Sequence, residues 1–267
     1  SGEGRKIFEA APFLDIPEMA DGKVLDAALR TPDRLVVSAV VGSAGDFRPV
    51  LAEYDLAAGK LLRVVPTGSI MCRDLHGDDK ALTWCLGADT VKDRAGRNFD
   101  LVHRFDESGE RRGSTLPRSA LHPAAEPLAD VGRGSQRGGF LPGDGPLRLW
   151  LPTVGELINF NEEGAVADRL ELPTVPGQLR AHLVSGQDGG VYAMLIVGDR
   201  TKPEDWTQSL HRLAADGSSW VPLEHAPGRV PMAIALVGAD EEGLVLYDQR
   251  SLVLCRLPVA VEAGAEE

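Results

Sequence analysis

The 267-residue sequence is defined first by what it lacks. Its longest apolar runs, RLVVSAVV at 34–41 and VYAMLIV at 191–197, fall well short of the ~20 residues that a membrane-spanning helix needs. No charged segment followed by an apolar one marks a secretory leader near Ser1, and a removed leader would leave the same record. Basic residues are in deficit: 28 Lys and Arg face 40 Asp and Glu, a net charge of −12. That balance argues against a broad phosphate-neutralising surface, so no nucleic-acid partner is expected. Catalytic signatures are missing too. There is no HExxH, no paired CxxC, no calcium-loop spacing and no G-x-S-x-G elbow. GRGSQRGG at 132–139 has glycines and arginines but not the strand–loop–helix setting of a phosphate loop. No cofactor, no metal and no catalytic residue is assigned on these grounds.

Aromatics are scarce at 5%, whereas glycine (30) and proline (18) are plentiful. Many short strands joined by many turns account for that balance. The strongest positive signal is self-similarity. VLAEYDLAAGKLLRVVP at 50–66 is echoed by DLVHRFDESGERRGSTLP at 100–117 and ELINFNEEGAVADRLELP at 156–173. QSLHRLAADGSSWVPLEH at 208–225 is the fourth copy. Each has an apolar-rich segment, a short acidic turn closing on glycine, and a second extended segment. The glycines are Gly59, Gly109, Gly164 and Gly217, spaced 50, 55 and 53 residues apart. This is a hairpin pattern: an Asp or Asn opens the turn, glycine accepts positive φ, and proline ends the second strand. A further strand pair precedes each hairpin, giving about four strands per unit.

These segments, with their hxxfDxxGxxxxxhxlP pattern, resemble the repeats of bacterial β-propellers of the NHL-like or TolB-like kind. The resemblance covers nearly the whole chain and implies an all-β propeller of four-stranded antiparallel blades. It is silent about activity, because such propellers host many functions. Five units are counted; six would require the loop-rich stretch 117–145 to conceal another. The fifth unit ends at SLVLCRLP, with Cys255 at the position held by Glu53, His103, Ile158 and His211, and lacks an outer strand. Residues 1–17, ending in Ile16-Pro17, supply a matching strand and are expected to close the ring, removing open sheet edges. Residues 259–267 read as a frayed tail. The expectation is one propeller domain over 1–267, and a monomer.

Two functional classes follow. In a propeller, the connections from second to third strand share a face with those joining blades. Here three are long and charged: 41–49, 88–98 and 198–206. They offer Phe47, Arg48, Lys92, Arg94, Arg97, Arg200, Lys202 and Trp206, the arginine-plus-aromatic composition of interaction hot spots. The favoured reading is a non-catalytic binding or scaffolding propeller that recognises a protein or small ligand there. The alternative is a lactonase-like or glycosidase-like hydrolase, with Asp26, Asp74, Asp130 and His182 on inner strands at a channel mouth. His103 and His211 recur at one repeat position, which argues for a structural role. HGDDK at 76–80 reads as a turn rather than a cation site.

Cys72 and Cys85 fall on the first two strands of the second unit. A turn centred between Asp78 and Asp79 sets them directly opposite one another, within reach of a disulfide. Two reduced cysteines packing as small apolar groups is the favoured state. A bridge would favour a periplasmic or secreted location, which is expected over the cytoplasm.

Overall fold

The computed structural model describes residues 22–42, 47–78, 82–121, 138–141, 147–151, 155–186, 188–199, 201–202, 205–223, 234–240, 243–248 and 253–257. Nearly all of its regular structure is β. The first sheet runs β1 (Lys23–Thr31), β2 (Arg34–Val41), β3 (Arg48–Asp55) and β4 (Lys60–Pro66). The second runs β5 (Ile70–Gly77), β6 (Thr83–Asp89), β7 (Asp100–Phe105) and β8 (Arg111–Pro117). The third comprises β9 (Gly139–Leu141), β10 (Arg148–Leu151), β11 (Glu156–Phe160) and β12 (Val166–Glu171). The fourth comprises β13 (Gln178–Ser185), β14 (Val191–Val197), β15 (Thr207–Leu213) and β16 (Trp220–Pro222). The fifth has three strands among the described residues, β17 (Ile234–Asp240), β18 (Gly243–Asp248) and β19 (Val253–Leu257). Every pair is antiparallel and joins strands consecutive in the chain.

The described residues up to 121, with Glu163–Ala165, form one compact unit holding the first two sheets; the rest form a second. Residues 1–17, the expected closing strand, and the tail 259–267 lie outside the described residues. So does most of 117–145, where β9 is one short strand.

Burial follows strand order. The second strands β2, β6, β10 and β14 are mostly buried on both faces: β6 throughout and β14 nearly so. The fourth strands β4, β8 and β12 are largely exposed or half-buried. Between the first two sheets lies a cluster of Val36, Leu51, Ile70, Cys72, Leu75, Cys85 and Phe105. In the second unit, Leu157, Ala181, Leu183, Ala193 and Leu195 belong to one buried cluster that joins the third and fourth sheets. All four repeat glycines have positive φ, from 60° to 83°. In three of the turns a side chain does the bonding: Asp55 accepts from Ala58 N–H, Asp106 from Ser108 and Glu110 N–H, and Asp216 from Ser218 N–H.

The register of the β5–β6 hairpin differs from the expected one. Cys72 pairs with Gly87, and Cys85 with Leu75, across a bulge between Cys72 and Asp74. The extra residue shifts the pairing by one step past the bulge, so the cysteines are diagonal rather than opposed. They are nevertheless joined as a disulfide with Cα atoms 5.3 Å apart. Two features permit this. The bulge turns Cys72 and Leu75 to the same side, where both enter the cluster with Cys85. Gly87, opposite Cys72, lets the strands approach closely, since a Cβ there would overlap the Met71 carbonyl oxygen. Gly77 is also obligatory, because a Cβ there would overlap the Leu29 carbonyl oxygen and the Arg30 Cα.

Candidate recognition face

The long connections are built from their bases. In the first unit, Thr67–Ser69 leads from β4 to β5. Thr67 N–H donates to Pro49 O at 3.0 Å, at the root of the β2–β3 connection. Thr90 N–H and Oγ donate to Ser69 O at 2.9 and 3.1 Å, at the root of the β6–β7 connection. One short link therefore stitches both connections to one edge of the unit. Arg118 N–H donates to Phe99 O at 2.8 Å, tying the far end of the β6–β7 connection to the end of β8.

The β6–β7 connection is not a plain charged loop. It opens with a short helix, α1 (Thr90–Arg94), whose N-cap Asp89 accepts from Val91 and Lys92 N–H at 3.1 Å each. Backbone donors thus hold the Asp89 carboxyl below its usual range against the opposing effect of burial. Arg118 Nη1 pairs with Asp93 at 2.9 Å, and its guanidinium lies 5.7 Å from the Phe99 ring centre. Asn98 and Ser119 exchange two hydrogen bonds of 2.9 and 3.0 Å. The connection is capped at one end and clamped at the other.

What this edge presents to solvent is mixed. Phe47 is 60% exposed and Val91 66%, among the most exposed large apolar side chains described. Arg48, Lys92, Arg94 and Arg97 are exposed beside them in sequence. Composition alone missed Val91; the Asp-Thr-Val-Lys-Asp order was the available sign, a cap residue followed by a helical turn.

The β14–β15 connection belongs to the second unit and is built differently. Trp206 is half-buried: its indole N–H donates to Asp199 O at 2.7 Å, and its ring lies against Gly198, at φ 156°. It pins the loop's own base. Lys202 is exposed, and Arg200 lies outside the described residues. Asp199 accepts from Thr201 N–H and Oγ, both at 2.8 Å, which holds its carboxyl below the usual range.

The inner-strand candidates are placed as follows. Asp26 on β1 accepts from Leu75 N–H at 2.7 Å, binding the first strands of the first two sheets. Asp74 is half-buried beside the β5 bulge, and His182 is half-buried on β13 in the second unit. Asp130 lies outside the described residues. Among the described residues no group of three His, Cys, Asp or Glu side chains is arranged to hold a metal ion.

The repeat position is real in the registers. Glu53, His103, Ile158, His211 and Cys255 pair with Val36, Cys85, Leu149, Ala193 and Leu246, all on second strands. Its polar members are buried. Glu53 lies between Arg30 and Arg63, bonded to both. His211 meets Ser209 Oγ at 2.8 Å. His103 has no hydrogen-bond partner among the described residues for either ring nitrogen, and burial drives its pKa down to about 4. A cleft lined by Arg30, Glu53, Arg63, Thr83 and Asp106 has a volume of about 20 Å³. That is room for about one water, not a ligand.

The His-Arg repeats carry a further motif. In the second sheet Asp78 accepts from the Trp84 indole at 2.9 Å, and Arg104 lies over that ring at 5.4 Å. In the fourth, Asp188 accepts from the Tyr192 hydroxyl at 2.9 Å, and Arg212 lies over that ring at 5.6 Å. These are matched clasps across the middle strands, made by residues next to His103 and His211.

No family model matches the chain, and no curated protein resembles it in sequence. Its likeness is to solved structures of propeller type. Hydrazine synthase of Kuenenia stuttgartiensis matches with a TM-score of 0.52 at 12% identity, over 86% of this chain and 62% of that one. The present chain thus spans less than two thirds of that structure's chain. Virginiamycin B lyase from Staphylococcus aureus matches at 11% identity over 91% and 86%, with a TM-score of 0.36. An α-L-arabinofuranosidase from Podospora anserina matches at 10% over 84% and 82%, with a TM-score of 0.38. At these identities the first likeness speaks to the fold alone.

Proposed function

We propose that this chain is a non-catalytic binding propeller of five blades that recognises a protein or small ligand on its loop-bearing face. The observation that carries the reading is the stitched edge of the first unit. There, Phe47 and Val91 are exposed on two connections whose roots are bonded to the same 67–69 link. Exposed apolar groups with exposed arginines beside them in sequence match the make-up of recognition surfaces. The hydrolase reading has less support, since Asp26 spends a carboxylate oxygen on holding β5. The test is whether Arg97→Ala and Phe47→Ala weaken partner retention by roughly tenfold or more while leaving the unfolding midpoint in place. Trp206→Ala, which removes the pin of its own loop in the second unit, serves as the comparison; unchanged retention in Arg97→Ala and Phe47→Ala contradicts the proposal.

The five-blade count rests on five sheets among the described residues, the last short of a strand. In this reading residues 1–17 pair with β19 and close the ring. Deleting them lowers the thermal midpoint by several degrees, as loss of a closing strand should. An unchanged midpoint argues against closure by this segment.

The bridged Cys72–Cys85 pair supports a periplasmic or secreted location. Thiol titration in denaturant without reductant gives one free thiol, that of Cys255. Three free thiols would remove both the bridge and the argument for compartment.

A further inference from the structure

We infer that the patch of Phe47, Arg48, Val91, Lys92, Arg94 and Arg97 docks a protein segment that is acidic and carries an apolar side chain. This rests on the recognition face proposed above and specifies the chemistry of its partner.

Charge selects an acidic partner. The chain as a whole carries −12, but this edge runs the other way. Residues 41–49 and 88–98 bring four cations against three carboxylates, Asp46, Asp89 and Asp93. Asp46 lies outside the described residues. The other two carboxylates are committed: Asp89 caps α1 and approaches Lys92 at 3.8 Å, and Asp93 is held by Arg118. Arg94 and Arg97 make no ion pair among the described residues and are exposed. Their donors therefore face solvent. A cationic island on an anionic body steers an acidic partner to itself, while the remaining surface repels that partner.

Two apolar side chains call for an apolar anchor in that partner. Phe47 and Val91, at 60% and 66% exposure, give an incoming side chain something to bury against. Exposed cations on the same two connections supply the polar groups that an apolar interface centre needs at its rim. A purely ionic contact would be exposed and weak. The β6–β7 connection is also ordered in advance. The cap at Asp89, the Arg118 clamp and the Asn98–Ser119 bonds fix α1 before any partner arrives, which lowers the entropic cost of binding. A polynucleotide fits less well, because it calls for a long cationic track along successive phosphates, and here carboxylates interrupt the run.

The test is selection of random dodecapeptides displayed on phage against the full chain, then fluorescence anisotropy on the enriched peptides. Circular dichroism checks each variant for folding. The expected consensus is net acidic with one aromatic or aliphatic anchor. Its affinity falls roughly tenfold or more in Arg94→Glu/Arg97→Glu, falls in Val91→Asp, and falls with added salt. A neutral or basic consensus that still needs the patch overturns the acidic chemistry and leaves the recognition face standing. A consensus indifferent to the patch variants, or no enrichment, overturns both. Tighter binding of single-stranded DNA than of the enriched peptides overturns the choice of a protein partner.

Discussion

Glu53→Ala is expected to cost about 3–5 kcal/mol of unfolding free energy, enough to bring a domain of ordinary stability close to unfolding. Glu53 is the shared partner of Arg30 and Arg63, and the side chains of Glu53 and Arg30 are 7% and 6% exposed. Removing the carboxylate strands a buried guanidinium, and the cost is the desolvation of that unpaired charge. The two arginines behave differently on their own. Arg63 is 37% exposed, so Arg63→Ala should cost about 1 kcal/mol or less. Arg30→Met/Glu53→Met removes the buried charges together and should recover much of the single-variant loss. Chemical denaturation of the four proteins measures this. A Glu53→Ala loss equal to that of Arg63→Ala would show that the network carries no buried charge of consequence.

The second large effect is a fall in stability between about pH 6.5 and pH 4. His103 is buried, and its pKa is lowered from 6.5 to about 4. Burial is the largest cause; the Arg111 charge adds to it, and Asp100 and Asp89 pull the other way. In that window the unfolded chain binds a proton at His103 and the folded chain does not, so stability rises with pH. It is complete above about 6.5 and lost progressively down to about 4. A shift of this size corresponds to about 3 kcal/mol, at 1.36 per unit. His211 and His76 are also lowered, mainly by burial, and add slope of the same sign below their ordinary value of 6.5. Asp106, held at about 2 by Ser108, backbone and Arg112 bonds, titrates below it. His103→Leu should flatten most of the slope between pH 6.5 and 4. An identical slope in the variant would mean that the ring is not held neutral by burial.

The repeat was legible because its turns are local. Gly59, Gly109, Gly164 and Gly217 need positive φ within a few residues of a turn-opening side chain, and that chemistry is written in consecutive positions. The equivalence of Glu53, His103, Ile158, His211 and Cys255 follows from the same spacing and holds in the registers. What resisted reading depends on distance in the chain. Nothing near Arg73 announces the bulge that offsets Cys72 from Cys85, since a bulge is decided by how β5 sits against β6 and β1. Arg30, Glu53 and Arg63 meet across three strands, and no local pattern joins them. Trp206 has the composition of an anchor, yet its indole has a nearer partner in Asp199 O. Val91 reads as one apolar residue in a charged loop until the Asp89 cap turns it outward on a helix.

We propose that the chain binds a partner through the first unit's stitched edge as a non-catalytic propeller. Native mass spectrometry of the chain purified from its source, as wild type and as Arg97→Ala/Phe47→Ala, tests it most directly. The account predicts a stoichiometric partner on the wild type, its loss from the variant, and no metal ion at unit occupancy on either. A wild-type chain that carries a stoichiometric metal ion, or that holds its partner unchanged in the variant, would contradict it.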